Sequence, residues 1–289
     1  MSGGTELEAV MRYHERTKHH FNRFAPGPGR LDWANQPDPF RRYAGAALTA
    51  LPLLAADAFP AYDDLFIPGA VRAAPLTLGT LSRLLEYSLA LSAWKQAGAT
   101  RWALRANPSS GNLHPTEGYV LIGGIPELGA PGLFHYAPLE HGLERRADCG
   151  FIPDTVLVGL SSVYWREAWK YGERAFRYCQ HDAGHAIGAL RIAAAALGWS
   201  ARVLDEVADD TIDALLGLDR TGDFDGAERE SAELLMAIGP GDFAKNTVEL
   251  EAVRALKASR WYGKANRLSA EDPVAYEAID RVAAASRKP

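Results

Sequence analysis

RANPSSGNLHPTEGYVLI, running from Arg105 to Ile122, is the stretch on which the fold turns. A short loop of a cation, prolines, serines, a glycine, an asparagine and a histidine opens straight into a strand-like run. The Pro-Ser-Ser-Gly-Asn core has few side chains shielding its backbone, and its hydroxyls and amide both donate and accept hydrogen bonds. Arg105 adds a fixed positive charge suited to a phosphate or an electron-rich ring edge. Such a loop is equipped to hold a flat, anionic, polyfunctional ligand. A Gly/Pro turn leading into a strand is the simpler reading of the loop taken alone.

Arg-x-x-Pro-Ser-Ser-Gly-Asn-x-His-Pro-x-Glu-x-Tyr resembles the R-x-x-P-S-[AS]-G-x-x-x-P-x-E-x-[YF] segment of the nitroreductase superfamily. It is most similar to the SagB/ThcOx-type dehydrogenase branch. Three further blocks follow the same order: LTLGTLSRLLEYSLAL ending at Leu91, WKYGERAFRYCQHDAGHAIGALRIAAAALGW from Trp169 to Trp199, and ELLMAIGP from Glu233 to Pro240. The resemblance spans most of the chain from Pro75 to Pro240 and is specific as a set. It implies a nitroreductase-like fold, a central mixed sheet flanked by helices, with FMN at a subunit interface. Independently, strand-like runs joined by hairpins or by helical runs of uneven length argue for α+β rather than regular βαβ alternation.

Composition agrees with a globular domain. The chain has 289 residues, 47% hydrophobic and 23% charged, enough for a sizeable core. A formal charge of -5 without a basic tract argues against a nucleic-acid partner. Cys149 and Cys179 are too few for a disulfide framework. The N-terminus lacks the apolar core of a signal peptide, and no stretch is long and apolar enough to span a bilayer, so no membrane association and a cytoplasmic setting are expected.

Along the chain, Glu6 to Phe24 reads as a charged helix, and the prolines of APGPGRLDWANQPDPF then forbid regular structure. Residues 1–74 form a helix and arm, and residues 75–289 the FMN-binding domain, in this reading. Leu31, Trp33 and Phe40 are poor candidates for solvent exposure, so the arm is expected to lie on a surface. Thr77 is a plausible cap for a helix with Leu78, Leu81, Leu84, Leu85 and Leu89 at helical spacing, continuing to Gly98. EGYVLIGG is strand-like, LFHYAPLEHGLERRA reads as a hairpin turning near Leu139 to Gly142, and TVLVGL from Thr155 is a short buried strand. The segment after Asp182 is apolar on nearly every face and is expected to sit inside the domain, capped by Asp182 with His185 in its first turn. His181 and His185 lie four apart, yet the glutamate of H-E-x-x-H and a third ligand are missing, so a metal is not expected.

FMN needs cations or helix amides at its phosphate, donors at its pyrimidine edge, and an open face at N5. Arg105, Ser109, Ser110, Gly111 and Asn112 are candidates for the first two needs, while His114 suits a structural hydrogen bond. The superfamily's N-terminal Arg-Arg-Ser-x-Arg string is absent before Pro75; Arg16, Lys18 and His19 of HERTKHH are candidates to replace it, and a solvated charged helix is the competing reading. Lys264, Asn266 and Arg267 of RWYGKANRLS match the late basic phosphate contact that the superfamily commonly supplies.

KYGER at Lys170 resembles the Lys-Tyr segment of azoline-oxidising relatives. Removing two hydrogens from a thiazoline or oxazoline requires a base for the carbon-bound proton, and the resemblance implies that Lys170 and Tyr171 are catalytic. A lysine of lowered pKa or a tyrosinate beside a cation would serve; an amphipathic stretch with packed tyrosines and a solvated lysine is the alternative, with Arg177 and Tyr178 as further candidates. Three functions remain open. The first is an FMN-dependent oxidoreductase reduced by NAD(P)H or an organic donor and acting on a small molecule. The second is a peptide azoline dehydrogenase working beside a cyclodehydratase. The third is a non-catalytic flavin-binding or scaffold half of a tandem nitroreductase-like assembly. A homodimer, or pairing with a second nitroreductase-like half, is expected.

Overall fold

A computed structural model describes residues 3–53, 60–150, 156–241 and 255–289. Its centre is a seven-stranded sheet in the order β2-β7-β6-β5-β8-β10-β9. These strands are β2 (Leu48–Ala50), β5 (Thr116–Ile122), β6 (Gly132–Ala137), β7 (Gly142–Asp148), β8 (Val156–Ser162), β9 (Ser200–Val203) and β10 (Ser231–Gly239). Every neighbouring pair runs antiparallel, so the α+β class holds while the expected mixed sheet is corrected. Parallel neighbours need a crossover on one face; here β6 returns directly into β7, and the helices between β8 and β9 deliver a strand to the sheet edge instead. Thr155, the first residue of the expected TVLVGL strand, lies outside the described residues.

Period-two alternation gives the sheet two apolar faces. Val120, Ile122, Phe134, Val158, Met236 and Ile238 pack against α2 (Leu78–Glu86) and α4 (Ala175–Ala196). Leu121, Leu133, Leu157, Leu235 and Ala237 face the other way, toward α5 (Asp209–Leu216). A third cluster joins α3 (Tyr164–Tyr171) to Leu113, Leu268 and α6 (Glu277–Ala285), where α1 (Gly3–Thr17) also docks. No helix among the described residues is long and apolar enough to cross a membrane.

Several expectations are refined. α1 stops at Thr17, whose hydroxyl turns back to Tyr13 O at 2.7 Å, and His20 and Arg23 close a small turn instead of continuing to Phe24. Thr77 caps α2 through a reciprocal box with Thr80, as its sequence position suggested. The helix ends at Glu86, not at Gly98. Once Leu89 and Ala90 are buried the chain turns outward as β3 (Leu91–Ala97) and β4 (Thr100–Arg105), a hairpin whose turn places Gly98 at φ +58°. Arg101 over the Trp94 ring, 4.2 Å from its centroid, clamps the two strands where a helix would have separated them.

Trp33 remains 67% exposed; only the edge of its ring meets Trp169, at 5.1 Å between centroids. α4 begins seven residues before Asp182, which therefore sits mid-helix rather than capping it. The helix is not enclosed on all sides either: His181, Gly184, His185, Arg191 and Ile192 form an exposed face. Alanines and glycines read as apolar on a helical wheel, yet they bury too little surface to demand a cover on every side.

The back half of the Arg105–Ile122 motif points into the protein. Tyr119 donates to Glu230 at 2.7 Å, and Glu230 also receives Ser161 Oγ at 2.6 Å and Arg41 Nε at 3.0 Å. His135 bridges Glu117 at 3.1 Å and Glu144 at 2.9 Å, and Arg166 pairs with Glu117 from α3. Burial alone would lower the His135 pKa, but its hydrogen bonds to the two carboxylates hold it above the usual value. Burial works against the Glu117 carboxylate too, and Arg166 together with His135 keeps it well below the ordinary range.

Candidate functional site

Arg105 ends β4 and turns inward. Its Nη1 donates to Thr116 O at 3.1 Å and its Nη2 to Pro39 O at 2.5 Å, tying the proline arm to the start of β5. Full burial lowers its pKa to about 10, as expected for a guanidinium that has exchanged water for backbone carbonyls. Arg105 therefore stands behind the loop and braces it, a different place from the ligand contact suggested by its charge. His114 is likewise structural: burial and nearby Arg105 push it down to about 3, and its backbone N–H donates to Ser109 Oγ at 2.8 Å.

Ser109 and Ser110 are anchored from α4. Ser109 Oγ donates to Asp182 Oδ2 at 2.9 Å, while Ser110 N and Oγ donate to Asp182 Oδ1 at 3.0 and 3.1 Å. Asn112 Nδ2 donates to Ala103 O at 2.6 Å. Between these anchors Gly111 adopts φ +62°, and the position of an added Cβ lies only 2.6 Å from the Tyr171 hydroxyl and 2.9 Å from Lys170 Nζ. The absent side chain is what lets the last turn of α3 reach the loop. Lys170 Nζ itself lies 3.5 Å from Gly111 O. The loop and the Lys-Tyr pair, 59 residues apart in sequence, are thus one site.

Tyr171 packs on Tyr178 with centroids 4.3 Å apart and the rings tilted by 42°, and the Arg174 guanidinium lies 5.4 Å from the Tyr171 ring centroid. Burial, with nearby Glu167, pushes the Tyr171 hydroxyl up to about 12. It therefore stays protonated at neutral pH, and the tyrosinate option loses its physical basis.

HERTKHH arrives on this same corner. Arg16 pairs with Glu173, Tyr13 OH donates to Glu173 O at 2.6 Å, and His19 Nε2 meets Arg174 Nη1 at 2.8 Å. Arg177 Nη2 donates to Thr17 Oγ1 at 3.1 Å and His14 O at 3.2 Å. Lys18 turns aside to Glu15. Lys264 lies in β11 (Lys264–Ala265) opposite Ala44 of β1 (Tyr43–Ala44), and Arg267 is taken by Ser269 O and Asp272. Neither makes a hydrogen bond to the serine loop among the described residues. His185 Nδ1 faces Pro108 O at 3.1 Å, on the loop's outer side.

Sequence reading missed Arg174 and Glu167, and weighed Arg177 only as a catalytic alternative. Arg174 and Arg177 stand three apart on α4, and the Nε of each is buried without an acceptor among the described residues. Their spacing after Lys170 was a legible signal of a cationic helix face. Glu167, one turn before Lys170, has no signal in the sequence that would tell a buried acid from a solvated one.

No protein-family model matches the chain, and no curated protein matches it. Among solved structures, a protein from Anabaena variabilis designated a nitroreductase aligns over 87% of this chain at 25% identity, with a TM-score of 0.60. The chain spans only 55% of that protein's length. A second structure so designated, from Ralstonia eutropha, aligns over 75% of this chain and 99% of its own at 17% identity, with a TM-score of 0.51. A fainter likeness, with a TM-score of 0.46, is to the E. coli microcin synthetase McbBCD complex with truncated pro-MccB17 bound, at 16% identity over 66% of this chain and 76% of that one. The first two likenesses agree with the antiparallel sheet and its flanking helices. The chain has the nitroreductase fold.

Proposed function

We propose that this protein is an FMN-dependent oxidoreductase that removes two hydrogens from its substrate, with azoline rings on a peptide as the substrate class. One observation carries the reading: Gly111 of the serine loop lies against Lys170 and Tyr171, the pair that the chemistry needs. The corner fits the cofactor. Arg174, whose guanidinium lies over the Tyr171 ring, and Arg177 nearby on α4 suit a phosphate, Tyr171 and Tyr178 offer an aromatic wall, and Gly111 gives a floor without a side chain. Arg174 and Arg177 would hold the phosphate with Arg16 and His19 beside them, while Gly111 and Asn112 would face the ring. Arg105, Ser109 and Ser110 act from behind by fixing the loop. Bound FMN supplies the two-electron acceptor at N5.

Lys170 takes the carbon-bound proton on Nζ, which requires its neutral form at the moment of transfer. Tyr171, protonated throughout, orients the substrate as a hydrogen-bond donor. For a further turnover an external acceptor such as dioxygen or NAD(P)+ would have to take the two electrons from the reduced cofactor. Reduction of the oxidised cofactor by NAD(P)H would be a separate half-reaction, which asks nothing of Lys170. A second nitroreductase-like half, in the simplest case another copy of this chain, would cover the exposed face of α4. A non-catalytic scaffold has no use for an ammonium and a phenol brought onto the ligand loop, so the catalytic reading is preferred.

A visible spectrum of the purified protein, before and after NADH or NADPH, tests the proposal. A yellow protein that bleaches under anaerobic reductant is expected. A colourless protein whose melting temperature is unmoved by excess FMN would overturn it.

A further inference from the structure

Two acids meet beneath the serine loop. Glu167 is fully buried, and its carboxyl lies within hydrogen-bonding reach of Asp182 and Ser109. Ser109 has one hydroxyl proton, already given to Asp182 at 2.9 Å, and neither Glu167 oxygen receives a donor. Asp182, by contrast, accepts from Ser109 Oγ and from both the N–H and the hydroxyl of Ser110. Two touching carboxylates in a buried site cannot both be charged. The donors identify which one is.

We infer that Glu167 is a positioning residue of this site: it carries a proton at neutral pH and donates it to Asp182, which keeps the negative charge that grips Ser109 and Ser110. The arrangement serves Lys170 as well. Glu167 and Lys170 are three residues apart on α3, a spacing at which a charged glutamate would form an ion pair with the ammonium and draw it off Gly111. A neutral Glu167 leaves Lys170 on the loop. The charged and titratable groups around it are consistent. Burial and Asp182 raise the Glu167 pKa, with Lys170 as the opposing influence. Cys179 on α4 is a thiol kept neutral by burial, with Glu233 and Asp182 adding to the effect, and His185 Nδ1 stands 3.7 Å from Asp182 Oδ1. Burial keeps Tyr171 protonated whether or not Glu167 is charged.

The sign of the pH dependence follows. Glu167 binds its proton more tightly folded than unfolded, so its contribution is complete below the ordinary carboxyl range and is lost as pH climbs through its raised value. Loop protection should therefore weaken toward alkaline pH, when a second charge appears beside Asp182.

The inference rests on the proposed function only for its effect on turnover, so its test needs no flavin. Difference infrared spectroscopy of the purified chain at neutral pH should show a protonated-carboxyl C=O band that disappears in Glu167→Gln. In Asp182→Asn the same band should titrate away at lower pH, because the neighbouring charge is gone. Amide hydrogen exchange at Ser110 and Asn112 should stay near wild type in Glu167→Gln, whose amide still donates, and accelerate about tenfold in Glu167→Ala. Absence of the band at neutral pH, or a loop opened equally by both substitutions, would overturn the inference. A colourless protein that keeps the band removes the flavin proposal and leaves this one standing.

Discussion

Behind the sheet, Glu117, Glu144 and Glu230 each meet a buried or half-buried cation, and their leftover lone pairs are filled by Tyr119, Ser161 and the backbone N–H of Tyr43. At the junction of α3 and α4 the balance is reversed. Arg16 pairs with Glu173, Arg174 meets His19, Arg177 reaches Thr17, Lys170 rests on Gly111 O, and the Nε atoms of Arg174 and Arg177 are buried without acceptors among the described residues. In the first region every one of these carboxylates is answered by a cation, although Arg166 Nη2 is itself left without an acceptor among the described residues. In the second, basic side chains cluster with few acids to answer them. Saturated charge serves folding, because any unpaired member would be expensive. Unsaturated charge in a partly covered corner is what an anionic ligand completes.

The largest expected effect lies at the unsaturated corner. Lys170→Ala should slow substrate oxidation by about two to four orders of magnitude while flavin stays bound. Reduction of the flavin by NAD(P)H should be nearly unchanged, since hydride delivery needs no side-chain base. Single-turnover kinetics of the two half-reactions would separate these outcomes. Equal losses in both would make Lys170 a structural residue and erase the contrast between the regions.

Next comes the saturated network. Glu117→Gln removes the partner of both Arg166 and His135 and should cost about 3–5 kcal/mol of stability by urea titration, the usual penalty for stranding a buried charge. Two pH limbs belong to the same network. His135 has a raised pKa, so its contribution is complete below the ordinary histidine value and fades as pH rises through the folded one. Glu117 has a lowered pKa, so its contribution is present above the ordinary carboxyl value and is lost in strong acid. In Glu117→Gln both limbs should flatten. A variant with an unchanged pH-stability profile would show that the network is not what titrates.

Arg174→Ala and Arg177→Ala should each weaken FMN retention by about ten- to a hundredfold, the loss of one charge-assisted bond, with little change in melting temperature of the apo protein. Arg105→Ala should behave in the opposite way, lowering stability first, because its guanidinium binds Thr116 O and Pro39 O rather than an open site. Isothermal titration with FMN beside thermal melts would read both. If Arg105 governed affinity and Arg174 governed stability, the assignment of the two regions would be inverted.

Local pattern carried much of the fold. The Thr77 cap, the strand at Thr116 and the hairpin from Leu133 to Ala147 were legible because caps, turns and alternation act within a few residues. Patterns that depend on distant partners were not. Asp182 looked like a helix cap because caps and buried acids share one residue type, and its true partners lie 72 and 73 residues away. Leu91 to Ala97 looked like the tail of α2 even though its partner strand is local, because the helical leucine spacing was carried on to Gly98, which is the turn of a hairpin. Lys170, Tyr171 and Gly111 were each singled out from the sequence, and the fold brings the three together. Glu167 was not legible, because a sequence does not display which acid is buried without a donor; Arg174 and Arg177 were legible as a basic helix face, and only their missing Nε acceptors were not.

The smallest effect on stability, and the sharpest on the comparison, is expected from glycine. Gly111 and Gly98 share nearly the same backbone, φ +62° and +58°, so alanine at either should cost about 1–2 kcal/mol in strain. Their surroundings differ completely. Around Gly98 nothing lies within 4 Å, while an added Cβ at Gly111 would meet the Tyr171 hydroxyl and Lys170 Nζ. Those are far ends of flexible side chains, so they can move aside at little further cost in stability. Moving them displaces the two groups proposed to act on the substrate, and a misplacement of about 1 Å can cost up to a hundredfold in rate. Gly111→Ala and Gly98→Ala should therefore melt alike, yet only Gly111→Ala should lose turnover. Matched losses of turnover would mean that the approach of α3 to the serine loop has no part in catalysis.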